Sequence, residues 1–246
     1  MVTDFDGTIA PIVGDPGAAR PLPGALDALH DLAHRYATVA VVSGRPASFL
    51  VQVLGIGDGR SALVAYGSYG AERIDPDGSV TAPAPDAGAE AAVARAADDL
   101  EARSGPGVEV ERKRWSVAVH WRNAPRLAAA SAGIASHVAT SAGLDLREAR
   151  MAVELVLPGA PDKGSAVGAL CEGAHAACYL GDDSGDLPAF AALAALRRDR
   201  CAYTASIAVA SDEVPERLVA AADLLLDGPG AAVAFLAALA HASPRD

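Results

Sequence analysis

The segment Asp4-Phe5-Asp6-Gly7-Thr8 places two carboxylates two residues apart and follows them with a glycine and a hydroxyl. Along an extended strand, residues i and i+2 face the same side, so Asp4 and Asp6 converge where a strand ends. Clustered carboxylates repel one another unless a cation sits between them. Hard divalent cations, Mg2+ above all, take such oxygens and keep positions open for water and phosphate. An aspartate beside such a cation can also attack phosphorus and form an aspartyl-phosphate. Taken alone, the segment also fits a turn with an acidic rim.

Three further fragments add chemistry that the first lacks. Ser43-Gly44-Arg45 follows the apolar run Val39 to Val42 and offers a hydroxyl and a glycine amide to phosphate oxygens; a plain strand-to-helix turn would look the same. Asp162-Lys163-Gly164 opens the helix-compatible run Ser165 to Leu170. An ammonium at a helix start is disfavoured by the dipole, and a phosphate dianion sharing the site would explain it. Gly181-Asp182-Asp183-Ser184-Gly185-Asp186 follows the apolar run Ala176 to Leu180 and supplies three more acids, unless it is only a solvated acidic loop.

The elements that must position these groups fall into two patterns. Residues 1–83 and 161–246 alternate apolar strands with helical stretches: a helix over Leu22–Tyr36 and strands over Thr38–Ser43, Leu63–Tyr66, Ala176–Leu180 and Ile207–Ala210. Such alternation predicts an α/β core, a parallel sheet with helices on both faces and ligands at the carboxyl ends of the strands. Residues 84–160 read differently. Helices near Ala89–Arg103 and Pro125–Ser141 each precede two strands, Val108–Arg112 and Ser116–Trp121, then Asp145–Arg150 and Ala152–Leu157, an αββαββ pattern that predicts an antiparallel sheet with helices on one face. Thr81 to Gly88 and Pro158 to Pro161 are the expected hinges. Only three residues precede Asp4, where a strand normally has about five, so the first strand is unusually short or the chain starts late.

Composition narrows the partners. A net charge of −11 argues against nucleic acid, and no apolar run is long enough for a membrane span. Cys171, Cys178 and Cys201 show no CxxC spacing and fit reduced cysteines of a cytoplasmic protein. A small-molecule substrate and a monomer are expected.

The order DFDGT, SGR, DKG, GDDxxD, each after an apolar run, resembles the four motifs of the haloacid dehalogenase (HAD) superfamily of phosphotransferases. The resemblance implies a Rossmannoid core. It implies Asp4 as nucleophile and Mg2+ ligand, and Asp6 as general acid and base whose backbone carbonyl also meets Mg2+. Thr8, Ser43, Gly44 and Arg45 would contact phosphate, and Lys163 would neutralise nucleophile and phosphate. Asp182 would be a further Mg2+ ligand, with Asp183 and Asp186 supporting the metal or its waters.

The inserted module resembles a C2-type cap, and here the likeness sharpens. Glu111-Arg112-Lys113-Arg114-Trp115-Ser116-Val117-Ala118-Val119-His120-Trp121-Arg122 is similar to the ExKxxSxxxHxR cap signature of trehalose-6-phosphate phosphatases. DFDGTIAPI, YGSYGAE, REARMAVEL and GPGAAVAFLAALA agree with that family. The resemblance implies that Glu111, Lys113 and Glu154 hold sugar hydroxyls. Departures are Gly185 and Leu187, where many members read GDDxTDE, and Val156-Leu157, where an arginine often stands.

Only two of the 20 basic residues are lysines, Lys113 and Lys163, and both stand on motif positions. An ammonium is not interchangeable with a guanidinium fork. His120 and Arg122, two apart on one expected strand, could meet phosphate or sugar or serve the cap surface. Trp115 and Trp121 could stack on a pyranose or, as packing favours, lie within the cap. The reading is a Mg2+-dependent phosphatase of trehalose 6-phosphate. Another sugar phosphate (sucrose, glycosylglycerate or pseudo-disaccharide phosphate) is the nearest rival, with a phosphomutase or a silent HAD-like binding protein further off.

Overall fold

The computed structural model describes residues 1–59, 61–149, 151–199, 203–211 and 214–242. Cys201 and Arg150 lie outside the described residues. The chain divides into two compact units, Met1–Ala82 with Pro161–Asp246, and Pro83–Ala160. The strands, in chain order, are β1 (Val2–Thr3), β2 (Ala40–Val42), β3 (Val64–Gly67), β4 (Glu72–Ile74) and β5 (Val80–Thr81) in the first unit; β6 (Glu109–Arg112), β7 (Ser116–His120), β8 (Asp145–Ala149) and β9 (Ala152–Val156) in the second; and β10 (Ala176–Gly181), β11 (Tyr203–Val209) and β12 (Leu224–Leu226) back in the first. The helices are α1 (Ala25–Ala33), α2 (Ala47–Leu54), α3 (Ala87–Arg103), α4 (Ala128–Ala142), α5 (Lys163–Leu170), α6 (Leu187–Asp199), α7 (Glu216–Ala221) and α8 (Gly228–His241).

The first unit is built on an eight-stranded sheet in the order β12-β11-β10-β1-β2-β3-β4-β5. Successive strand residues face opposite sides, so each strand feeds two cores. Val41, Leu180 and Ile207 join Phe5, Leu29, Leu50 and Leu236 on one side; Val42, Tyr179 and Ala208 join Val167, Phe190, Leu193 and Leu218 on the other. Thus α1, α2 and α8 cover one face and α5, α6 and α7 the other. Burial on both faces is why these strands are short, nearly continuous apolar runs.

Pairing is parallel from β12 to β3, as the alternation of strands and helices predicts, and β4 and β5 extend the sheet antiparallel at one edge. The turn Asp75-Pro76-Asp77-Gly78-Ser79 joins them, with Gly78 at φ 82 and the Asp75 amide donating to Ser79 O at 3.0 Å. Helix α1 is shorter than the expected Leu22–Tyr36 because Gly24 sits in a left-handed conformation just before it.

The second unit has the sheet order β6-β7-β9-β8, antiparallel throughout. Val93, Ala97 and Leu100 of α3 and Ala135 and Val138 of α4 pack on Val117, Val119, Val153 and Leu155. The residues between these on β7 and β9 form the opposite face. Strand β7 ends at His120, so Arg122 stands exposed in the following turn rather than on the strand. That turn closes where the Ala124 amide donates to Trp121 O at 2.8 Å. Among the described residues, no helix is long and apolar enough to cross a membrane.

Candidate active site

Strands β1, β2 and β10 are neighbours and parallel, so the residues that follow them gather at one edge of the sheet. Asp4 follows β1, Ser43 follows β2 and Asp182 follows β10. The Asp4 amide donates to Leu180 O at 2.8 Å, which fixes the first motif against the last. Helix α5 brings Lys163 to the same edge. Its start is held by Asp162, whose carboxylate accepts from the Ser165 amide at 2.7 Å while Ser165 Oγ accepts from the Asp162 amide.

Lys163 is 3% exposed and its ammonium donates to Asp4 Oδ1 at 2.8 Å and Asp186 Oδ1 at 2.7 Å. The cation at a helix start is thus matched by two buried carboxylates. Burial works against the charged ammonium, but Asp186 and Asp4 prevail and push its pKa well above the usual lysine range. Asp186 is fully engaged: Oδ1 also accepts from Tyr179 Oη at 2.6 Å, and Oδ2 accepts the amides of Asp182 at 2.9 Å and Asp183 at 3.0 Å. Its oxygens hold the loop, and Asp4, with Oδ1 on Lys163, stands beside Asp182. Asp183 caps the turn through the Gly185 amide at 2.7 Å.

Asp4, Asp182 and Asp186 each offer an oxygen within 4.8 Å of the others, a spacing suited to one cation. The donor set is all oxygen, which suits Mg2+ better than a soft metal. Four carboxylates, counting Asp183, share the ammonium of Lys163. Burial, against the pull of Lys163 and with the help of Asp186, Asp182 and Asp183, pushes Asp4 well up. Burial and then Asp186 and Asp183 push Asp182 up to about 8.

An acid raised in the folded state binds more protons folded than unfolded. Its contribution therefore falls as pH rises from about 4, the unfolded value, to the folded value. In chelator, stability against urea is expected to drop between pH 5 and 8, and added Mg2+ should restore it at pH 8. Asp182→Asn should flatten the slope. A wild-type profile that is level in chelator would contradict the charge crowding.

Glycines mark where loops press together. A Cβ on Gly7, at φ 76, would fall 1.9 Å from Asp182 Oδ2, and one on Gly181 would strike Asp186 Oδ2 at 2.5 Å. Gly164 lies against the Pro188 carbonyl, where a Cβ would stand at 2.5 Å. Thr8 is fully buried and, among the described residues, its Oγ1 has no partner, an orphan acceptor and donor that a phosphate oxygen would satisfy. Ser43, also buried, accepts the Arg45 amide at 3.1 Å through its hydroxyl. Arg45 itself grips Asp6: Nε to Oδ2 and Nη2 to Oδ1, both 2.7 Å, with Nη1 on Pro16 O and the guanidinium 4.7 Å above the Phe49 ring.

Sequence reading missed Tyr179 and the pairing of Arg45 with Asp6. Tyr179 is signalled only by its place two residues before Gly181 on β10, where a core aromatic is equally natural.

The second unit carries its own polar cluster on the sheet face away from its helices. Glu154, 2% exposed, accepts from Ser116 Oγ at 2.5 Å and Lys113 Nζ at 3.1 Å. Lys113 lies 3.4 Å from Glu111, whose carboxylate is 3.0 Å from His120 Nε2. His120 and Lys113, against partial burial, hold Glu111 down to about 2. So Glu111, Lys113, Ser116, His120 and Glu154 form one cluster, which Arg122 does not join. Trp115 and Trp121 pack against the unit's core.

The family model for trehalose-phosphatase matches residues 2–226. A trehalose-phosphate phosphatase of Mycobacterium avium (strain 104) is 38% identical over 256 residues, covering 98% of this chain; the chain spans 62% of that relative's length. The C-terminal domain of C. albicans trehalose-6-phosphate phosphatase superposes with a TM-score of 0.80 at 21% identity, over 98% of this chain and 91% of that one. A Bacteroides thetaiotaomicron phosphatase of the haloalkanoate (HAD) enzyme superfamily gives 0.64 at 17% identity, over 98% and 93%. At such identities the structural likeness is one of fold, a mixed α/β fold shared with HAD phosphatases. With the model match over most of its length and the M. avium relative aligned along nearly all of it, the chain belongs to the trehalose-phosphatase family.

Proposed function

We propose that the protein is a phosphoric monoester hydrolase that removes phosphate from trehalose 6-phosphate. The observation that carries the choice of substrate is the cluster on the second unit, where Lys113 joins buried Glu154 and, at 3.4 Å, Glu111. It offers donors and acceptors together, as a sugar's hydroxyls require, and we assign Glu111, Lys113 and Glu154 to that role.

The chemistry belongs to the first unit. Asp4 attacks phosphorus, the bond from phosphorus to the sugar oxygen breaks, and Asp6 delivers a proton to that oxygen. Asp6 then takes a proton from the water that attacks the aspartyl-phosphate, releasing phosphate and restoring Asp4. Both oxygens of Asp6 accept from Arg45, so proton delivery requires this pairing to loosen, and a phosphate dianion beside Arg45 is a natural competitor for it. Thr8 and Ser43 receive the phosphoryl oxygens. Lys163 donates to Asp4 and orients it, opposing the burial that favours its neutral form. Asp4, Asp182 and the Asp6 carbonyl would hold Mg2+, which when bound supplies stabilisation of charge on the transferring group.

Phosphate release from a panel of sugar phosphates tests the reading. Trehalose 6-phosphate should exceed sucrose phosphate, monosaccharide phosphates and glycosylglycerate phosphates in kcat/KM, with Mg2+ required and Ca2+ inert, since Ca2+ takes more ligands at longer distance. Preference for another sugar phosphate would refute the substrate, and full activity in chelator would refute the metal.

A further inference from the structure

Tyr69 takes no part in the chemistry above, yet it sits where the motif loops meet. Ser68 and Tyr69 are consecutive non-glycine residues in the left-handed region, at φ 51 and 58. Such conformations persist only where the surroundings enforce them, and they concentrate at functional sites. Here the enforcement is visible. The Ser68 amide donates to Arg45 O at 2.8 Å and the Tyr69 amide to Ser43 O at 2.9 Å. Glu72 Oε2 accepts both the Ala47 amide at 2.6 Å and Ser68 Oγ at 3.0 Å. Residues 68–70 are therefore fastened along the Ser43-Gly44-Arg45 loop.

The same three residues touch two of the other three motifs. Gly70 lies so close to the start of α5 that a Cβ there would stand 2.7 Å from Asp162 O. The Tyr69 ring lies between two glycines. A Cβ on Gly44 would fall 2.8 Å from its Cζ, and one on Gly185 would meet its Cε1 at 3.6 Å. Gly44 belongs to the loop after β2, Gly185 to the acidic loop after β10, and Asp162 precedes Lys163. The ring fills the space between the first two, and the strained turn that carries it meets the third through Gly70.

We propose that Tyr69 is a positioning residue that sets the spacing between the Ser43-Gly44 loop, the acidic loop and the helix start bearing Lys163. It thereby governs affinity for the phosphoryl group whatever alcohol that group carries. This deepens the function proposed above and rests on it. The ring carries most of the effect, because it faces both glycines, whereas the hydroxyl, 3.0 Å from a Cβ on Gly44, faces only that one. A displacement of about 1 Å among such groups is enough to cost on the order of a hundredfold in rate.

The test compares Tyr69→Phe, Tyr69→Ala and Tyr69→Gly in the full chain. The readouts are kcat and KM on trehalose 6-phosphate and on a small aryl phosphate, and calorimetric affinity for inorganic phosphate with Mg2+. Glycine suits the left-handed backbone and guards against a folding defect in the alanine variant. Tyr69→Ala and Tyr69→Gly should each lose more than about tenfold in kcat/KM on both substrates, with phosphate binding weakened to match. Tyr69→Phe should lose no more than about threefold, the scale of one exchanged hydrogen bond. Wild-type phosphate affinity in the alanine and glycine variants would overturn the proposal, as would a phenylalanine variant as damaged as alanine. A wild-type chain that releases no phosphate from any monoester would instead sink the functional reading; phosphate affinity alone would then decide the role of Tyr69.

Discussion

Asp4→Asn is expected to abolish phosphate release, a loss of about 10⁴-fold or more, without lowering the thermal stability of the metal-free protein. The two halves have one cause. Asp4 is 4% exposed and crowded by Asp182, Asp183 and Asp186, and burial with these charges pushes its carboxyl well up. A neutral amide removes that repulsion while preserving shape. Lys163 keeps Asp186 as a partner at 2.7 Å, so no buried charge is stranded. On the proposed mechanism, what disappears is a nucleophilic oxygen and an anionic ligand: an amide neither attacks phosphorus usefully nor binds Mg2+ as a carboxylate does. The rise in melting temperature on adding Mg2+ should shrink accordingly. Substantial turnover by the variant would rule out the covalent route through Asp4, and a large fall in stability would rule out the crowding.

The legible part of this molecule was where residues of particular types at fixed spacing stand in the fold. An apolar run such as Val39 to Val42 followed at once by Ser43-Gly44-Arg45 announces both a strand and its functional end, and β2 stops at Val42. The αββαββ order of residues 84–160 was also readable, because helices and strands there alternate in period and are cut by turns. Contacts made across the sheet were not readable. Nothing local to Tyr179 says that its hydroxyl meets Asp186, and nothing near Asp6 names Arg45, 39 residues away, as its partner. The hairpin of β4 and β5 was missed despite its Asp-Gly turn, since strands of three and two residues leave too little pattern to count. Arg122 was misplaced for a related reason: alternation from Ser116 continues through Trp121, but the backbone turns away at Ala124. Strain at Tyr69 is a property of φ, which residue identity did not reveal.

The two lysines should separate by what they serve. Lys163→Ala removes the ammonium from between Asp4 and Asp186, both almost wholly buried, and leaves two carboxylates without their counter-charge. Breaking a buried ion pair in this way costs on the order of 3–5 kcal/mol, so the variant should unfold at markedly lower urea. Whatever remains folded should fail on trehalose 6-phosphate and on a small aryl phosphate alike, because in the proposed mechanism the lost charge serves the phosphoryl group common to both. Lys113→Ala is milder and selective. Glu154 keeps Ser116 Oγ at 2.5 Å, so the second unit retains its buried hydrogen bond. A lost contact to a sugar hydroxyl costs about 1–3 kcal/mol, at least about tenfold in kcat/KM for the disaccharide phosphate. The aryl phosphate has no hydroxyls for that cluster to hold and should turn over nearly as in the wild type. Steady-state kinetics on the two substrates, beside urea unfolding of each variant, make the comparison. If Lys113→Ala damages the aryl phosphate as much as Lys163→Ala does, Lys113 serves the phosphoryl group, and the main physical reason for choosing a disaccharide phosphate is gone.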